Sequence, residues 1–259
     1  AGQLRGNTEI KNVTTAQSMN IKSSSNTKVG ALFGENIGTS NIILNKFKSM
    51  TVINIDTSDG ALDCVGSLVG IYRDNTRDIT ISCNDVSIAT KISTTGTNIH
   101  AGGLIGEIPT SNNKRNINIS KIQINGFEIN NKAENSYNKL QTCGGVLGYL
   151  WENTDVVFNT PADSNAYALS VADSIINAPN APVGGLVYQG SGKWQINDRG
   201  IDIKNSIFNA NTLGLLLCHA EEKNGRALYL EMTANWATAY KLENVTVGGS
   251  PAVYDEMIA

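Results

Sequence analysis

Proline, cysteine, histidine and charge are all scarce in this chain of 259 residues. It has 5 prolines, 4 cysteines and 2 histidines, and only 17% of its residues are charged. Lys and Arg total 20 and Asp and Glu total 23, which gives a formal net charge of −3. Such a chain is a poor electrostatic partner for nucleic acid or for an anionic membrane surface. No apolar run reaches the roughly 18 residues of a membrane-spanning helix, so we expect no membrane insertion of this segment.

The few cysteines and histidines form no recognisable motif. Four cysteines are too few for a disulfide scaffold, and none lies in a CxxC pair. His100 and His219 lie at different phases of the repeat described below, so a histidine-based metal site or catalytic triad is weakly supported. We therefore predict no cofactor and no metal site. We expect buried free thiols and leave open one disulfide among Cys64, Cys83, Cys143 and Cys218.

A repeat runs through the sequence. Six segments follow the pattern of VGALFG, VGSLVG and AGGLIG, and their first glycines are separated by 36, 36, 42, 40 and 30 residues. We expect these glycines to form one structural column, because glycine permits positive φ and close backbone approach. The column comprises Gly30, Gly66, Gly102, Gly144, Gly184 and Gly214. A second, inward-facing column is expected at Leu32, Leu68, Leu104, Val146, Leu186 and Leu216.

Short segments of alternating hydrophobicity separate the glycine segments, for example residues 50–55, 78–82, 116–120, 122–124 and 200–204. This alternation predicts half-buried strands, and 32 asparagines with many Ser, Thr and Gly favour turns between them. Each repeat holds about three strands and no helical linker, which fits one coil of a β-solenoid. We predict a single all-β solenoid domain, residues 1–259, with six to seven coils stacked over roughly 30 Å.

The repeat resembles the GLUG motif of secreted and surface-anchored proteins, and residues 34–41 are similar to its polar continuation. The resemblance covers about residues 29–218 and implies a right-handed parallel β-helix, the fold of adhesin-like surface proteins. Tyr188 and Cys218 replace the closing glycine in the last copies. Residues 226–259 carry a mixed period, and we predict either a last coil or a C-terminal cap there.

Parallel β-helices also include polysaccharide lyases and hydrolases. Residues 153–155, Asn-Thr-Asp, resemble one segment of polygalacturonase-type hydrolases, but the chain has no Asp-Asp pair, Gly-His-Gly or Arg-Ile-Lys. We expect Glu152 and Asp155 to be solvated turn carboxylates. Residues 198–202 contain the acidic and basic residue types that a lyase uses, although such residues in turns are commonly only solvent-exposed. We therefore predict no catalytic residues.

Aromatic residues that follow two of the glycine segments are the best candidates for carbohydrate contact. Trp151 and Trp194 come seven and ten residues after Gly144 and Gly184. On neighbouring coils they could stack on sugar rings together with Tyr149 and Tyr188. The alternative is aromatic packing beneath a loop.

These observations favour a non-enzymatic, secreted or cell-surface solenoid that serves as a stalk, an adhesin or an extracellular assembly subunit. The expected partners are glycans or host or cell-surface proteins, and free strand edges at a solenoid end would permit end-to-end self-association. The start of the chain, Ala-Gly-Gln-Leu-Arg, suits a mature secreted protein or a piece of a longer one. The alternative is a carbohydrate-active β-helix, such as a lyase, hydrolase or phage-spike-like depolymerase, or a carbohydrate-binding module.

Overall fold

The computed structural model describes residues 2–37, 41–57, 62–73, 78–95, 98–109, 113–131, 141–144, 147–150, 154–163, 165–184, 187–190, 192–214, 217–220, 228–232, 239–247 and 250–251. These residues form 31 β-strands in three sheets, and every strand pair among them is parallel except the last. The predicted all-β solenoid is confirmed. Across these ranges no helix has the length and apolar character needed to cross a membrane.

The first sheet gains one strand with each pass of the chain. Its seven strands lie side by side in chain order, as β1 (Gly2–Leu4), β6 (Phe33–Ile37), β10 (Val69–Arg73), β14 (Ile105–Ile108), β19 (Leu147–Leu150), β23 (Val187–Gly190) and β27 (Leu217–Ala220).

The second sheet contains two parallel ladders. The first ladder is formed by β2 (Thr8–Lys11), β7 (Ile42–Ser49), β11 (Ile79–Ile88), β15 (Arg115–Ile119), β20 (Thr154–Phe158), β24 (Gly192–Ile196) and β28 (Leu228–Met232). The second ladder is formed by β3 (Thr14–Thr15), the ends of β7 and β11, β16 (Ile122–Asn125), β21 (Leu169–Ala172), β25 (Ile201–Lys204) and β29 (Tyr240–Glu243).

The third sheet also has two ladders. One contains β4 (Ser18–Ser23), β8 (Val52–Thr57), β12 (Lys91–Thr94), β17 (Glu128–Asn131), β22 (Ile175–Gly184), β26 (Ile207–Gly214) and β30 (Thr246–Val247). The other contains β5 (Thr27–Gly30), β9 (Leu62–Gly66), β13 (Asn98–Gly102), β18 (Gln141–Gly144) and the ends of β22 and β26. A final strand, β31 (Ser250–Pro251), pairs with β30 in antiparallel orientation.

Alternation along each strand fills the interior between the sheets. In β7, Ile42 and Leu44 are fully buried while Ile43 points outward. The pattern then shifts by one residue, because Lys46 takes a positive φ of 56° and turns the chain from the first ladder to the second, so that Phe47 is buried. The strands predicted at 78–82, 116–120, 122–124 and 200–204 overlap β11, β15, β16 and β25, and residues 50–55 overlap β8.

The six repeat glycines form the predicted column. A methyl group at Gly66 would lie 2.6 Å from the carbonyl oxygen of Leu104 and 2.8 Å from the backbone nitrogen of Gly106. The column is therefore required by the close approach of the third and first sheets at this corner. Positive φ does not explain it, since among the described glycines positive φ occurs at Gly6 and Gly126. Each member is the register partner of the next through Gly30, Gly66, Gly102, Gly144, Gly184 and Gly214.

The leucine column is confirmed where it is described. Leu68 and Leu104 are fully buried and Leu32 packs against the core at the edge of the stack. Val146, Leu186 and Leu216 lie outside the described residues. At the other end of the chain, β28 and β29 extend both ladders of the second sheet, so the described part of 226–259 continues the coil.

Candidate functional site

A groove of about 580 Å³ runs along the outer face of the second ladder of the second sheet. Its floor is a column of register partners on five neighbouring strands, namely Ser87, Gln123, Ser170, Asp202 and Lys241. Because paired strands are about 4.8 Å apart, the column extends over about 19 Å. The groove can therefore hold several units of an extended polymer.

One wall of the groove is a long connection within a single coil. Two residues, Ser120 and Lys121, join the two ladders between β15 and β16, whereas residues 159–168 join them between β20 and β21. The additional residues cannot fit between the strand ends, so the chain is displaced over the outer face of the sheet. Tyr167 and Asn165 of this connection line the groove.

Arg199, from the following coil, holds this wall in place. Its guanidinium donates to the carbonyl oxygens of Asp163, at 2.8 Å, and of Pro161, at 3.3 Å. The backbone nitrogen of Ala168 donates to the carbonyl oxygen of Arg199 at 2.9 Å. These bonds span the wall from one end to the other, so Arg199 is a positioning residue for the groove.

Asp202 is the most unusual side chain of the groove. It lies in the middle of β25 with only 8% of its surface exposed, and its Oδ1 atom is enclosed without a hydrogen-bond partner. Burial raises the pKa of this carboxyl above its usual value, while the nearby ammonium groups of Lys241 and Lys204 oppose the increase. An enclosed acceptor without a donor costs stability, about 1–3 kcal/mol in typical proteins, unless a ligand supplies the donor.

The charged groups around Asp202 give the groove no excess of positive charge. The residues that line the groove include three lysines, Lys121, Lys204 and Lys241, and three aspartates, of which Asp202 is the buried one. Lys121 pairs with Asp85 at 2.9 Å and Lys241 pairs with Glu243 at 2.9 Å. With Asp85 and Glu243 counted, carboxylates outnumber ammonium groups, and a groove of this kind that is rich in donors and acceptors suits a ligand with many hydroxyl groups better than a polyanion.

A shallower groove of about 380 Å³ lies on the outer face of the third sheet. Its polar groups bind one another across the coils. The Asn54 side chain donates to Asn20 at 2.8 Å, and the Thr95 hydroxyl donates to Asp56 at 3.2 Å. Lys22 lies 3.7 Å from the Asp56 carboxylate. This face therefore provides a matched control for the groove that contains Asp202.

A second polar cluster is buried between the third and first sheets. Cys64 and His100 are register partners on β9 and β13, and Glu107 reaches them from β14. The Oε2 atom of Glu107 lies 3.0 Å from the Cys64 Sγ and 3.1 Å from the His100 Nδ1. The ligating atoms of all three lie within 4.8 Å of one another, and the residues are 2%, 3% and 6% exposed. Thiol, imidazole and carboxylate together form a set of groups able to bind a transition metal.

This cluster does not resemble an activated nucleophile. Burial, followed by the neighbouring Glu107 carboxylate, raises the pKa of the Cys64 thiol well above its usual value. A nucleophilic cysteine requires the opposite, an exposed thiolate with a lowered pKa. Cys83, the other described free cysteine, is also buried, and burial alone raises its pKa to about 12. The prediction of buried free thiols is confirmed for these two residues.

The prediction that Trp194 contacts carbohydrate is wrong. Trp194 is fully buried and packs against Phe158, with the ring centres 6.2 Å apart, so it offers no face to a sugar. Lys193, Trp194, Gln195 and Ile196 alternate, and Trp194 and Ile196 share the inward phase. Trp151 and the side chains of Tyr149 and Tyr188 lie outside the described residues.

The acidic candidates from the sequence also need correction. Asp155 is a half-buried residue of β20, where it accepts from the Lys193 backbone at 2.8 Å and pairs with Lys114 at 2.8 Å. It links neighbouring coils and is not a solvated turn carboxylate. Asp202 lies in the strand predicted at 200–204, but its carboxylate is buried, whereas a solvent-facing carboxylate was expected. Glu152 and the side chain of His219 lie outside the described residues.

The sequence contained a signal for the buried cluster. Cys64 and His100 each precede the first glycine of their repeat by two residues, and Glu107 follows the first glycine of its repeat by five. The same two positions in the first repeat hold Lys28 and Glu35, which form an ion pair of 2.7 Å. Comparing repeat positions therefore predicts these contacts, while separation along the chain does not.

Comparison of the chain with protein-family models, with curated proteins and with solved structures gave no match in any of the three. The GLUG resemblance therefore stays a prediction, and the geometry of the grooves and of the buried cluster carries the functional argument.

Proposed function

We propose that this chain is a non-enzymatic β-solenoid of a secreted or cell-surface protein, and that the groove containing Asp202 binds glycan chains. The observation that carries the proposal is the enclosed Oδ1 of Asp202, which lacks a hydrogen-bond donor at the floor of an open groove. A sugar hydroxyl is a donor of suitable size, and a small movement of the side chains that cover Oδ1 would let it donate there and remove the cost of leaving this oxygen unpaired.

The other groups of the groove complement the same ligand. The Tyr167 ring provides a flat apolar surface of the kind on which sugar rings stack. The ammonium groups of Lys204 and Lys241 can donate to hydroxyl and ring oxygens. Asn125 and Gln123 can both donate and accept through their amides. We therefore expect neutral or weakly charged glycans to bind more strongly than highly sulfated or polyuronic ones.

Glycan-array binding followed by titration calorimetry tests the proposal. The variants are Asp202→Asn and Tyr167→Ala in the groove, with Asp56→Asn on the third sheet as the matched control. Wild type and the control should bind the same neutral glycan equally, whereas each groove variant should bind it at least 10-fold more weakly. Absence of any glycan binding by the wild type, or equal binding by all four proteins, would refute the proposal.

Glycan cleavage is the second candidate function, and the raised pKa of Asp202 is the observation that favours it. Burial that raises the pKa of a carboxyl is one way in which enzymes provide a general acid for glycoside hydrolysis, and the reaction also needs a second carboxylate at a fixed distance. Incubation with the bound glycan, followed by assays for reducing ends and unsaturated products, distinguishes cleavage from binding. Product that is formed by the wild type but not by Asp202→Asn would show that the function of the groove is glycan cleavage and not binding alone.

The location is tested separately from ligand binding. Labelling of intact producing cells and of their culture medium with a membrane-impermeant biotin reagent should reach the protein. Labelling that occurs only after lysis would contradict a secreted or surface location while leaving the glycan assay unaffected.

A further inference from the structure

We propose that Cys64, His100 and Glu107 form a binding site for a divalent transition-metal ion, with zinc as the favoured ion, that joins the third sheet to the first. The site is independent of the glycan groove, which lies on the second sheet and shares no residue with it.

The geometry is already close to that of a metal site. Zinc binds thiolate sulfur at about 2.3 Å and imidazole nitrogen or carboxylate oxygen at about 2.0–2.2 Å, so ligand atoms in a tetrahedral site are about 3.3–3.8 Å apart. The Oε2 of Glu107 lies 3.0 Å from the Cys64 Sγ and 3.1 Å from the His100 Nδ1. The third pair, the Cys64 Sγ and a ring nitrogen of His100, lies within 4.8 Å, so side-chain shifts of up to about 1 Å would bring all three pairs to the spacing of a tetrahedral site.

The ligand chemistry selects the ion. Thiolate and imidazole together favour zinc and other late first-row ions over calcium and magnesium, which prefer sites made only of oxygen ligands. When the ion binds, the Cys64 thiol loses its proton to solvent and a sulfur–metal bond forms. The charges of one thiolate, one carboxylate and a doubly charged cation then sum to zero. A neutral set is the least costly arrangement for charges enclosed between two sheets.

The first repeat supports a cation at this position. There the equivalent positions hold Lys28 and Glu35, so an ammonium group neutralises the carboxylate across the same two sheets. In the third repeat His100 replaces the lysine, and the second repeat contributes the thiol of Cys64. A bound metal ion would supply the positive charge that Lys28 supplies in the first repeat.

Three protein ligands leave a fourth position for water or for the second oxygen of Glu107. Because the ligands come from strands of two sheets and two successive coils, the ion would hold together parts of the chain that are distant in sequence. Metal binding by the folded chain therefore raises the free energy of unfolding, and the increase grows with the logarithm of the ratio of free ion concentration to dissociation constant.

The test compares two buried cysteines. Wild type, Cys64→Ala, His100→Gln, Glu107→Gln and the control Cys83→Ala are dialysed against zinc and then against metal-free buffer, and bound zinc is measured by mass spectrometry. Cys83 is a suitable control because it is also fully buried and belongs to the core. We expect a single zinc ion per chain in wild type and in Cys83→Ala, with loss of the ion from the other three. Zinc should raise the melting temperature of wild type, and magnesium should not.

A second measurement remains decisive if a ligand variant fails to fold. In the triple variant Cys83→Ala/Cys143→Ala/Cys218→Ala, Cys64 is the only cysteine of the chain. Cobalt added to this protein should produce the near-ultraviolet charge-transfer band of a thiolate–cobalt bond. Absence of that band, failure of wild type to retain zinc, or retention of zinc by Cys64→Ala would each overturn the proposal. The glycan assay is unaffected by any of these results.

Discussion

Gly66→Ala is the substitution whose cost follows most directly from the solenoid geometry. A methyl group built at Gly66 would lie 2.5 Å from the carbonyl oxygen of Val69, 2.6 Å from that of Leu104 and 2.8 Å from the nitrogen of Gly106. All three atoms belong to the backbone of the first sheet or of the turn leading into it. A rotamer change cannot relieve the contacts, so the two sheets themselves must separate.

The expected magnitude follows from overpacking in protein cores. Inserting a methyl group where neighbours cannot move typically costs about 1–3 kcal/mol, and three simultaneous backbone contacts place Gly66→Ala at or above about 3 kcal/mol. For a chain of this size such a loss lowers the melting temperature by roughly 6–12 °C. The Leu104 carbonyl oxygen that the methyl group would contact also accepts a hydrogen bond from the Leu68 nitrogen at 2.9 Å, so its displacement would disturb this bond between successive coils.

Gly126→Ala is the matched control. Gly126 has a positive φ of 68°, but nothing lies within 4 Å of an added methyl group, so this substitution costs only the backbone strain of about 1–2 kcal/mol. Thermal unfolding followed by circular dichroism, together with urea unfolding, should rank wild type above Gly126→Ala and Gly126→Ala above Gly66→Ala. A melting temperature for Gly66→Ala equal to or above that of Gly126→Ala would refute close approach as the reason for the glycine column.

Three other outcomes can be measured in the same way. Because burial raises the pKa of native Asp202, this residue stabilises the fold most in acid, and the contribution is lost as pH rises through the raised pKa. Asp202→Asn should therefore melt above wild type at pH 7 and lose this advantage in acid, and a difference in melting temperature that does not change with pH would contradict this. Gly126→Asn should unfold within about 0.5 kcal/mol of wild type, since asparagine tolerates positive φ, and a loss as large as that of Gly126→Ala would contradict this. Arg199→Asn keeps a residue that tolerates the φ of 52° but removes the hydrogen bonds from the guanidinium to the wall of the groove. Limited proteolysis should therefore cut residues 159–168 faster in this variant, and glycan affinity should fall several-fold. An unchanged rate of cleavage would show that the wall does not depend on the guanidinium.

The regular part of this fold could be predicted from the sequence because each coil repeats the same constraint. The spacing of Gly30, Gly66 and Gly102 is constant at 36 residues, and the structure pairs them directly. The prediction for Trp194 was wrong because it used the number of residues between Trp194 and Gly184. The alternation of Trp194 with Ile196 along the strand instead places its side chain in the interior of the solenoid. Asp202 could not be located, since a buried outward-facing carboxylate requires a wall from another coil, and the sequence does not show where a long connection folds.

The two candidate sites arise from departures from the regular coil. Where two residues join the ladders, as between β15 and β16, the outer face of the sheet stays open, and where residues 159–168 join them a groove forms beside it. Where the repeat positions before and after the glycines hold lysine and glutamate, a simple ion pair results, and where they hold Cys64, His100 and Glu107 a set of metal-binding groups results. A uniform stack can tolerate such changes because each coil contacts mainly its neighbours. The positions at which one repeat differs from the next are therefore the places to expect binding.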